Sequence, residues 1–361
     1  MQISKDNRTW LDDFNLSHPL VIAGPCSAET EDQMLKTAHK LKDTDVSVFR
    51  AGIWKPRTRP GGFEGVGEIG LPWLQKVKEE TGMKVITEVG NANHVALALK
   101  HNIDMLWIGA RTTVNPFVVQ EIADALKGVD IPVLVKNPVN PDLPLWLGAV
   151  ERFKNAGISQ LGVIHRGFST YNNLNFRNRP TWRIVIELMR NFPDLPVIID
   201  PSHICGRRDT IFEVSQAALD LRFHGLMVET HIDPDNAWSD AKQQITPEVL
   251  IKMMEDLKVR KNTSSKEDFQ HRLNAYRKEL DTVDHQMIEL LADRMEVAKN
   301  IGLLKEEENV SVLQPSRWSE ILEKMVEQAS QKGLKKEFIL EVFKSIHVES
   351  IDVQQRVRKE L

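Results

Sequence analysis

Short apolar runs alternate with helix-length segments over the first two thirds of the chain. Eight such runs can be counted: LVIAGPCS (20–27), VSVFRAG (46–52), KVITEV (84–89), MLWIGAR (105–111), PVLVKNP (132–138), LGVIHRG (161–167), PVIIDPSH (196–203) and GLMVETH (225–231). Apolar strands that alternate with helices are typical of a parallel sheet with both faces covered. Eight repeats within about 210 residues fit a (β/α)8 barrel, a TIM barrel, better than an open doubly wound sheet. The pattern therefore predicts an α/β barrel.

The pattern changes near residue 258. The segment KVRKNTSSKED is polar and lacks an apolar period, so it predicts a linker over 259–267. After it, apolar residues recur every three or four positions: Phe269, Leu273, Tyr276, Leu280, Val283, Met287, Leu290, Val297, Ile301 and Leu304. This spacing predicts one long amphipathic helix. Two further helices, over about 315–331 and 335–358, complete an all-α unit.

The predicted long helix is too long for the chain that follows it. At about 1.5 Å per residue, the 36 residues from 269 to 304 span roughly 54 Å. The remaining residues are too few to cover its apolar stripe, so we expect an intertwined homodimer. The predicted organisation is a barrel over 1–258, a linker over 259–267 and a three-helix dimerising domain over 268–361.

Composition narrows the class of protein. Hydrophobic residues make up 41% of the 361 residues and the net charge is −4, so no nucleic-acid or membrane partner is expected. The first residues hold no apolar leader and no run reaches 18 apolar residues, which favours a cytoplasmic protein. In a cytoplasmic protein, the two cysteines Cys26 and Cys205 are more typical of free thiols or metal ligands than of a structural disulfide, although a disulfide between them remains an alternative.

A polar or ionisable residue stands at the end of every predicted strand. In order these are Cys26, Arg50, Glu88, Arg111, Lys136, His165 with Arg166, His203 and Glu229. Function in a TIM barrel gathers at the carboxyl ends of the strands. A single polar residue at a strand end can be explained as a core residue whose hydrogen bonds are satisfied. A polar residue at every strand end indicates a functional site, because burying so many charges costs free energy unless they are paired.

Four of the polar residues have metal-ligand chemistry. Cys26, His203 and Glu229, joined by Asp240 in the loop after the eighth strand, offer one sulfur, one nitrogen and two carboxylates. This mixture suits Mn²⁺, Fe²⁺, Co²⁺ or Zn²⁺ more than Mg²⁺ or Ca²⁺. Taken singly, each has a plainer interpretation: Cys26 as packing, His203 as a capped loop residue and Asp240 as a helix N-cap.

Six cations converge on the same end of the predicted barrel: Arg50, Lys55, Arg57, Arg111, Lys136 and Arg166. They would repel one another unless anions enter, which indicates substrates carrying phosphate or several carboxylates. A solvated surface charge is a plausible alternative for Arg57, but it explains Arg111 and Lys136 poorly because both follow apolar strands directly.

The motifs GPCS, FRAGIWKPRT, IGAR, VKNP, HRGF, DPSH and VETH resemble those of 3-deoxy-D-arabino-heptulosonate 7-phosphate (DAHP) synthases. The resemblance covers about residues 1–258 and is to the short type without an N-terminal regulatory extension. It implies a divalent metal, Mn²⁺ foremost, that polarises an aldehyde oxygen while phosphoenolpyruvate attacks the aldehyde. Cys26 would then be a thiolate metal ligand, and oxidation of that thiolate would damage the enzyme.

The same resemblance assigns substrate roles to the cations. It implies phosphoenolpyruvate on Arg111, Lys136 and Arg166, with Lys55 near the reacting centre. Arg57 and Thr58 would hold erythrose 4-phosphate, while Glu88 and Asp200 would position water or a ligand. The related octulosonate 8-phosphate synthases share the fold and phosphoenolpyruvate but typically have Lys-Ala-Asn where this chain has Lys-Pro-Arg-Thr at 55–58. This difference favours erythrose 4-phosphate, and the octulosonate synthase is kept as the alternative.

Cations also interrupt the apolar stripe of the long helix. Arg294 lies on the stripe and Lys305 follows eleven residues later, three turns on at nearly the same azimuth. Arg277 lies 17 residues before Arg294, or roughly 25 Å along the axis. If Arg277 and Arg294 serve one small-molecule site, Arg277 must come from a second copy of the chain.

This helical segment resembles the all-helical chorismate mutases. LNAYRKELDTVDHQMIELLADRMEVAKNIGLLK (273–305) aligns without gaps with their first helix, and further on Arg317, Ser350 and Gln354 match family positions. The resemblance implies that Arg277, Arg294 and Arg317 hold the two carboxylates of chorismate. Lys305 and Gln354 would stabilise charge on the ether oxygen, and prephenate would form.

The helical segment also departs from that family. Gln314 and Trp318 stand where the family commonly has Asp and Glu near the substrate hydroxyl. Gln314 can still form a hydrogen bond with the substrate, whereas Trp318 cannot replace a carboxylate acceptor. The leading hypothesis is a bifunctional enzyme with feedback by chorismate or prephenate through the helical domain. Alternatives are a regulatory and dimerising module without significant mutase activity, and an isochorismate–pyruvate lyase.

Overall fold

The computed structural model describes residues 10–14, 19–56, 61–170, 175–261 and 263–360. The chain divides into two compact units, Met1–Arg260 and Lys261–Leu361. In the described residues no helix has both the length and the apolar character needed to cross a membrane.

The first unit is built around eight parallel strands that close in chain order. They are β1 (Leu20–Gly24), β2 (Val48–Arg50), β3 (Lys84–Val89), β4 (Met105–Ile108), β5 (Val133–Lys136), β6 (Leu161–His165), β7 (Val197–Ile199) and β8 (Gly225–Glu229). Strand β1 pairs with both β2 and β8, which closes the barrel. The predicted (β/α)8 barrel is therefore confirmed.

Helices follow the strands on the outside of the barrel. They are α1 (Glu31–Leu41), α2 (Gly70–Thr81), α3 (Ala92–Lys100), α4 (Ala110–Thr113), α5 (Pro116–Ala125), α6 (Leu143–Asn155), α7 (Trp182–Asn191), α8 (Pro201–Cys205), α9 (Ile211–Asp220) and α10 (Pro247–Asp256). Several begin at polar caps placed by the sequence: the side chains of Thr30, Asn91 and Asp142 accept hydrogen bonds from the first turns of α1, α3 and α6.

Alternating side chains of each strand build two apolar layers. Leu20 and Ile22 of β1 join the cluster that fills the barrel axis, whereas Val21 and Ala23 pack with the helices. Trp10 belongs to the inner cluster and donates a hydrogen bond from Nε1 to the carbonyl of Leu161 at 2.8 Å. The barrel is thus a packed core, and polar chemistry is confined to its ends.

Two predicted strand ends lie instead in short helices. Strand β4 ends at Ile108, and Arg111 belongs to α4; strand β7 ends at Ile199, and His203 belongs to α8. The backbone N–H of His203 donates to Asp200 Oδ1 at 3.1 Å, and Pro201 stands in the first turn of α8. An Asp cap followed by proline favours a helix start over a longer strand.

His165, which the sequence places at a strand end beside Arg166, does not face the barrel mouth. It is fully buried among four aromatic side chains, whose ring centroids lie 5.7–6.3 Å from that of His165: Trp146, Phe168, Trp182 and Phe223. Burial lowers the pKa of His165 to about 3. The alternation of β6 explains this placement, since successive side chains point to opposite faces.

The second unit consists of three helices, α11 (Glu267–Glu307), α12 (Pro315–Gln331) and α13 (Lys336–Glu360). Helix α11 packs most extensively on α13. A Cβ at Gly302 of α11 would lie 3.0 Å from the Cα of Gln354, so glycine permits the close approach of these two helices. The predicted all-helical unit is confirmed.

Much of the apolar stripe of α11 is exposed within a single copy of the chain. Tyr276, Leu280, Met287 and Leu290 keep 53–67% of their side-chain exposure. Clusters of exposed apolar side chains mark surfaces that another molecule covers. The dimer remains a prediction, and this stripe is the surface that it would bury.

Candidate active sites

A polar cavity of about 70 Å³ opens at the carboxyl end of the barrel strands. Its lining consists of Lys55, Pro56, Glu88, Ala110, Arg111, Lys136, Arg166, Arg177, His203 and Asp240. Seven predicted site residues therefore meet in one place. Arg57 and Thr58 lie outside the described residues.

Three of the predicted metal ligands lie together beside this cavity. Cys26 Sγ and one carboxylate oxygen each of Glu229 and Asp240 are within 4.8 Å of one another. The fourth, His203, places Nε2 3.7 Å from Glu229 Oε1 and Nδ1 2.8 Å from Asp200 Oδ2. A metal-ligating histidine usually has a carboxylate at its second ring nitrogen in this way.

The donor set fits a divalent transition metal. Glu229 Oε1 is buried, lies 3.3 Å from Arg50 Nη2, and accepts no hydrogen bond from the described residues. Asp240 starts a 3₁₀ turn but makes no capping hydrogen bond with its side chain, so its carboxylate is not used as an N-cap. Both cysteines are free, so the alternative Cys26–Cys205 disulfide is not formed. Sulfur, imidazole and carboxylate donors together suit Mn²⁺, Fe²⁺, Co²⁺ or Zn²⁺.

Burial and charge set the protonation states of these groups. Burial, followed by the charge of Glu229, raises the pKa of Cys26 to about 12, so the thiol needs a nearby cation to ionise. Lys55 Nζ lies 3.1 Å from Cys26 Sγ. Burial opposes ionisation of Asp240, but Arg177 and His203 outweigh it and hold the pKa of that carboxyl well below its usual range.

The predicted anion-binding cations are held by fixed partners. Lys136 Nζ lies 2.8 Å from Asp200 Oδ2, and Arg166 Nη1 donates to Asn178 Oδ1 at 2.7 Å. Arg50 is fully buried, with its guanidinium 4.9 Å from the centroid of the Trp107 ring, and is therefore an internal partner of Glu229 rather than part of the cavity lining. Lys136 and Arg166 thus present preorganised positive charge to the cavity.

The two candidate water-positioning carboxylates differ in their surroundings. Asp200 is fully buried between Lys136 and His203, which it orients. Glu88 lines the cavity and accepts a hydrogen bond from Trp107 Nε1 at 2.9 Å. A Cβ at Gly109 would come within 2.0 Å of Glu88 Oε1, so the glycine leaves room for this carboxylate. Glu88 is the better placed of the two to meet a water or a substrate.

Neither the motifs nor the residue spacing pointed to Arg177. This arginine lies in the loop after β6, where neither strand alternation nor helix period applies. Its Nη1 donates to Asp240 Oδ1 at 2.8 Å and to Gln243 Oε1 at 2.6 Å, and Gln243 Nε2 donates to Glu229 Oε2 at 2.6 Å. Arg177 and Gln243 therefore tie together two of the candidate ligands.

A second cavity, of about 340 Å³, lies within the helical unit. It is lined by Arg294, Val297, Ala298, Ile301, Lys305, Val312, Gln314, Arg317, Trp318, Ile321, His347, Ser350 and Gln354. Six predicted residues meet here. Arg277 does not line it, and its role in the site of a second copy stays a prediction.

Two of the three cations that line the helical cavity, Arg294 and Lys305, are partly buried, whereas Arg317 is exposed and pairs with Glu320 at 3.0 Å. Arg294 Nη1 donates to Ser350 Oγ, and Lys305 Nζ donates to the carbonyl of Val312 at 2.6 Å. Burial lowers the pKa of both side chains, which indicates that each lies partly out of water. An apolar cavity bearing convergent cations is suited to an anionic ligand with an apolar body.

Comparison with known protein families shows to which family the chain belongs. The model of the DAHP synthetase I family matches residues 15–265. The chain belongs to the DAHP synthetase I family. The model described as chorismate mutase type II matches residues 276–355. This member of the family therefore carries a DAHP synthase domain followed by a chorismate mutase domain, and both resemblances are confirmed.

Individual relatives match the DAHP synthase domain. A phospho-2-dehydro-3-deoxyheptonate aldolase of Thermotoga maritima is 34% identical over 239 residues, which are 66% of this chain and 68% of that protein. A 2-dehydro-3-deoxyphosphooctonate aldolase of Legionella pneumophila strain Lens is 30% identical over 265 residues, covering 67% and 92%. The crystal structure of the Thermotoga maritima DAHP synthase matches with a TM-score of 0.60 and 32% identity, over 66% of this chain and 67% of that one.

Replacing Arg177 with methionine is expected to weaken Mn²⁺ binding about ten- to 100-fold, because Asp240 and Gln243 lose the donor that orients them. The measurement is calorimetric titration of the metal-stripped chain with Mn²⁺. The matched control is Arg179→Met, a change of an exposed arginine two residues away. Equal dissociation constants for Arg177→Met and the unchanged chain would contradict the assignment.

Proposed function

We propose that this chain is a bifunctional enzyme of aromatic amino acid biosynthesis. The barrel condenses phosphoenolpyruvate with erythrose 4-phosphate to DAHP and phosphate, and the helical unit rearranges chorismate to prephenate. The observation that carries this proposal is the pair of separate cationic cavities, one beside a sulfur, nitrogen and carboxylate donor set and one apolar.

In the barrel, Cys26, His203, Glu229 and Asp240 would hold a divalent metal, with Mn²⁺ as the first candidate. When bound, such a metal supplies a Lewis acid for the aldehyde oxygen. Arg111, Lys136 and Arg166 bind the phosphate and carboxylate of phosphoenolpyruvate through charge-assisted hydrogen bonds. Lys55, which holds a proton at Nζ beside Cys26, gives that proton to the oxygen that becomes a hydroxyl.

The bond changes in the barrel balance without a further reactant besides water. The methylene carbon of phosphoenolpyruvate forms a carbon–carbon bond with the aldehyde carbon, and water adds to the enol carbon. The carbon–oxygen bond to phosphate then breaks, and inorganic phosphate leaves. Glu88 orients the attacking water, and Arg57 and Thr58 bind the phosphate of erythrose 4-phosphate.

In the helical unit the residues bind and orient a single substrate. Arg294 and Arg317, with Arg277 of the partner subunit, hold the two carboxylates of chorismate in the reactive shape. Lys305 and Gln354 stabilise the negative charge that develops on the ether oxygen as its bond breaks. The proposal includes a dimer through the exposed apolar stripe of α11, since only a second copy can supply that arginine.

Regulation and location are further parts of this proposal. Chorismate or prephenate bound to the helical unit would restrain the synthase, which lies earlier in the same pathway. Both cysteines are free, as is usual in a reducing compartment, so the proposal places the enzyme in the cytoplasm.

The length of the sugar phosphate tests the synthase assignment. Relatives of both kinds match the barrel, and their names indicate seven-carbon and eight-carbon compounds. If phosphoenolpyruvate supplies three of these carbons, the aldehyde has four carbons in the first case and five in the second. We expect kcat/KM for erythrose 4-phosphate to exceed that for arabinose 5-phosphate by at least about a hundredfold, since a misfitting phosphate loses charged hydrogen bonds worth about 1.5–3 kcal/mol each. Release of inorganic phosphate measures both. A preference for the five-carbon sugar would show an octulosonate synthase instead.

A further inference from the structure

His347 is a polar group in the helical cavity to which the chorismate mutase resemblance gives no role. It lies on α13, three residues before Ser350 and seven before Gln354, and therefore on the same helical face as both. The cavity-lining set includes it together with Trp318 of α12.

His347 and Trp318 are stacked on each other. Their ring centroids lie 3.8 Å apart, with an angle of 7° between the ring planes. Such a stack restricts the two side-chain torsions of His347 and thereby fixes the plane of its imidazole ring. Trp318 thus supports a hydrogen-bonding ring at the wall of the cavity, although it has no acceptor of its own.

The imidazole of His347 has an unused polar atom. Nε2 is buried and has no hydrogen-bond partner among the described residues. A buried nitrogen of this kind is costly unless a ligand or water completes it. Since the residue lines the cavity, a bound ligand is the natural partner for Nε2.

Burial and two nearby cations favour the neutral form of His347. Burial, Arg294 and Lys305 lower the pKa of His347, and both cations lie on α11 at the same cavity. A neutral imidazole has one N–H donor and one acceptor nitrogen. It can therefore contact a hydroxyl without adding a negative charge beside the arginines that hold the substrate carboxylates.

We propose that His347, held in place by Trp318, hydrogen-bonds the ring hydroxyl of chorismate through Nε2. The pair takes over the contact for which related mutases use a carboxylate at the position of Trp318. This inference rests on the proposed binding of chorismate by the helical unit. It makes His347 a substrate-positioning residue.

The test compares His347→Phe, which keeps a ring against Trp318 but lacks Nε2, with His347→Gln, which restores a polar group. For His347→Phe we expect kcat/KM for chorismate to fall about tenfold, mainly through a higher KM, with partial recovery in His347→Gln. Synthase activity of the same preparations should stay unchanged and shows that the barrel unit is folded. Mutase kinetics within twofold of the unchanged chain for His347→Phe would overturn the proposal.

A chorismate analogue without the ring hydroxyl isolates the contact. The unchanged chain and His347→Phe should process this analogue equally well, because the hydrogen bond is absent in both. A loss of the same size with chorismate and with the analogue would contradict the proposal and indicate a purely structural role.

Calorimetric binding of chorismate separates this inference from the proposed mutase activity. If the unchanged chain binds chorismate without turnover, the mutase assignment fails. A dissociation constant about tenfold higher for His347→Phe than for the unchanged chain would still support the contact. An equal dissociation constant overturns the contact whether or not turnover occurs. Absence of chorismate binding by the unchanged chain overturns both proposals.

Discussion

Replacing Cys26 with alanine is expected to abolish synthase activity, lowering kcat by at least about a hundredfold, because the proposed metal site would lose its thiolate ligand. Loss of a residue that merely supports a ligand already lowers metal affinity or activity about ten- to 100-fold. Cys26 is fully buried, and its sulfur lies with Glu229 and Asp240 in one compact donor group. The measurement is the initial rate of DAHP formation together with the bound metal per chain.

Cys205→Ala is the matched control for this substitution. Cys205 is also a buried free thiol, but it does not belong to the compact donor group found among the described residues. Its replacement should leave metal content and synthase rate close to those of the unchanged chain. Mutase activity of the Cys26 variant should persist. Full synthase activity after metal stripping and reloading of Cys26→Ala would disprove the ligand role.

Replacing Arg294 with alanine is expected to lower mutase kcat/KM about 10²-fold, because the carboxylates of chorismate lose a charged partner that holds the substrate in the reactive shape. Arg294 lines the helical cavity, is partly buried and donates to Ser350. The substitution should leave the unliganded synthase largely intact, because the synthase residues all lie in the first unit. The measurement is prephenate formation from chorismate beside DAHP formation.

Arg356→Ala provides the comparison for Arg294. Arg356 lies on α13 and pairs with Glu349 at 2.7 Å on the exposed surface, outside the cavity lining. Exposed ion pairs contribute little to stability, so both activities should be retained. Equal loss of mutase and synthase activity in Arg294→Ala would point to a role in folding rather than in substrate binding.

The alternation of apolar runs and helical segments was sufficient to predict the barrel and the three helices. Apolar strand runs are a local property, so the polar residues at the ends of β5 and β8 and just after β1 could be identified as Lys136, Glu229 and Cys26. The pattern was less accurate where a strand passes at once into a short helix. Arg111 and His203 were placed at strand ends, yet each lies in a short helix, three or four residues beyond the last residue of the strand.

Contacts between residues on different helices, strands or loops could not be predicted from the spacing of residues along the chain. Arg177 reaches Asp240 and Gln243 from a loop, and the stack of Trp318 on His347 joins two different helices. Both depend on which faces meet in three dimensions, and period or composition does not determine that. The sequence did identify Trp318 as an unusual residue, but its partner became apparent only in the folded helical unit.

The most direct test of the two-enzyme account is one set of assays on the full chain. Prephenate formation from chorismate and DAHP formation are followed in the same preparation, and the synthase assay is repeated with added prephenate. The account predicts turnover at both sites and a slower synthase when prephenate is present. Synthase activity that prephenate inhibits, without any turnover of chorismate, would contradict it and make the helical unit a sensor alone.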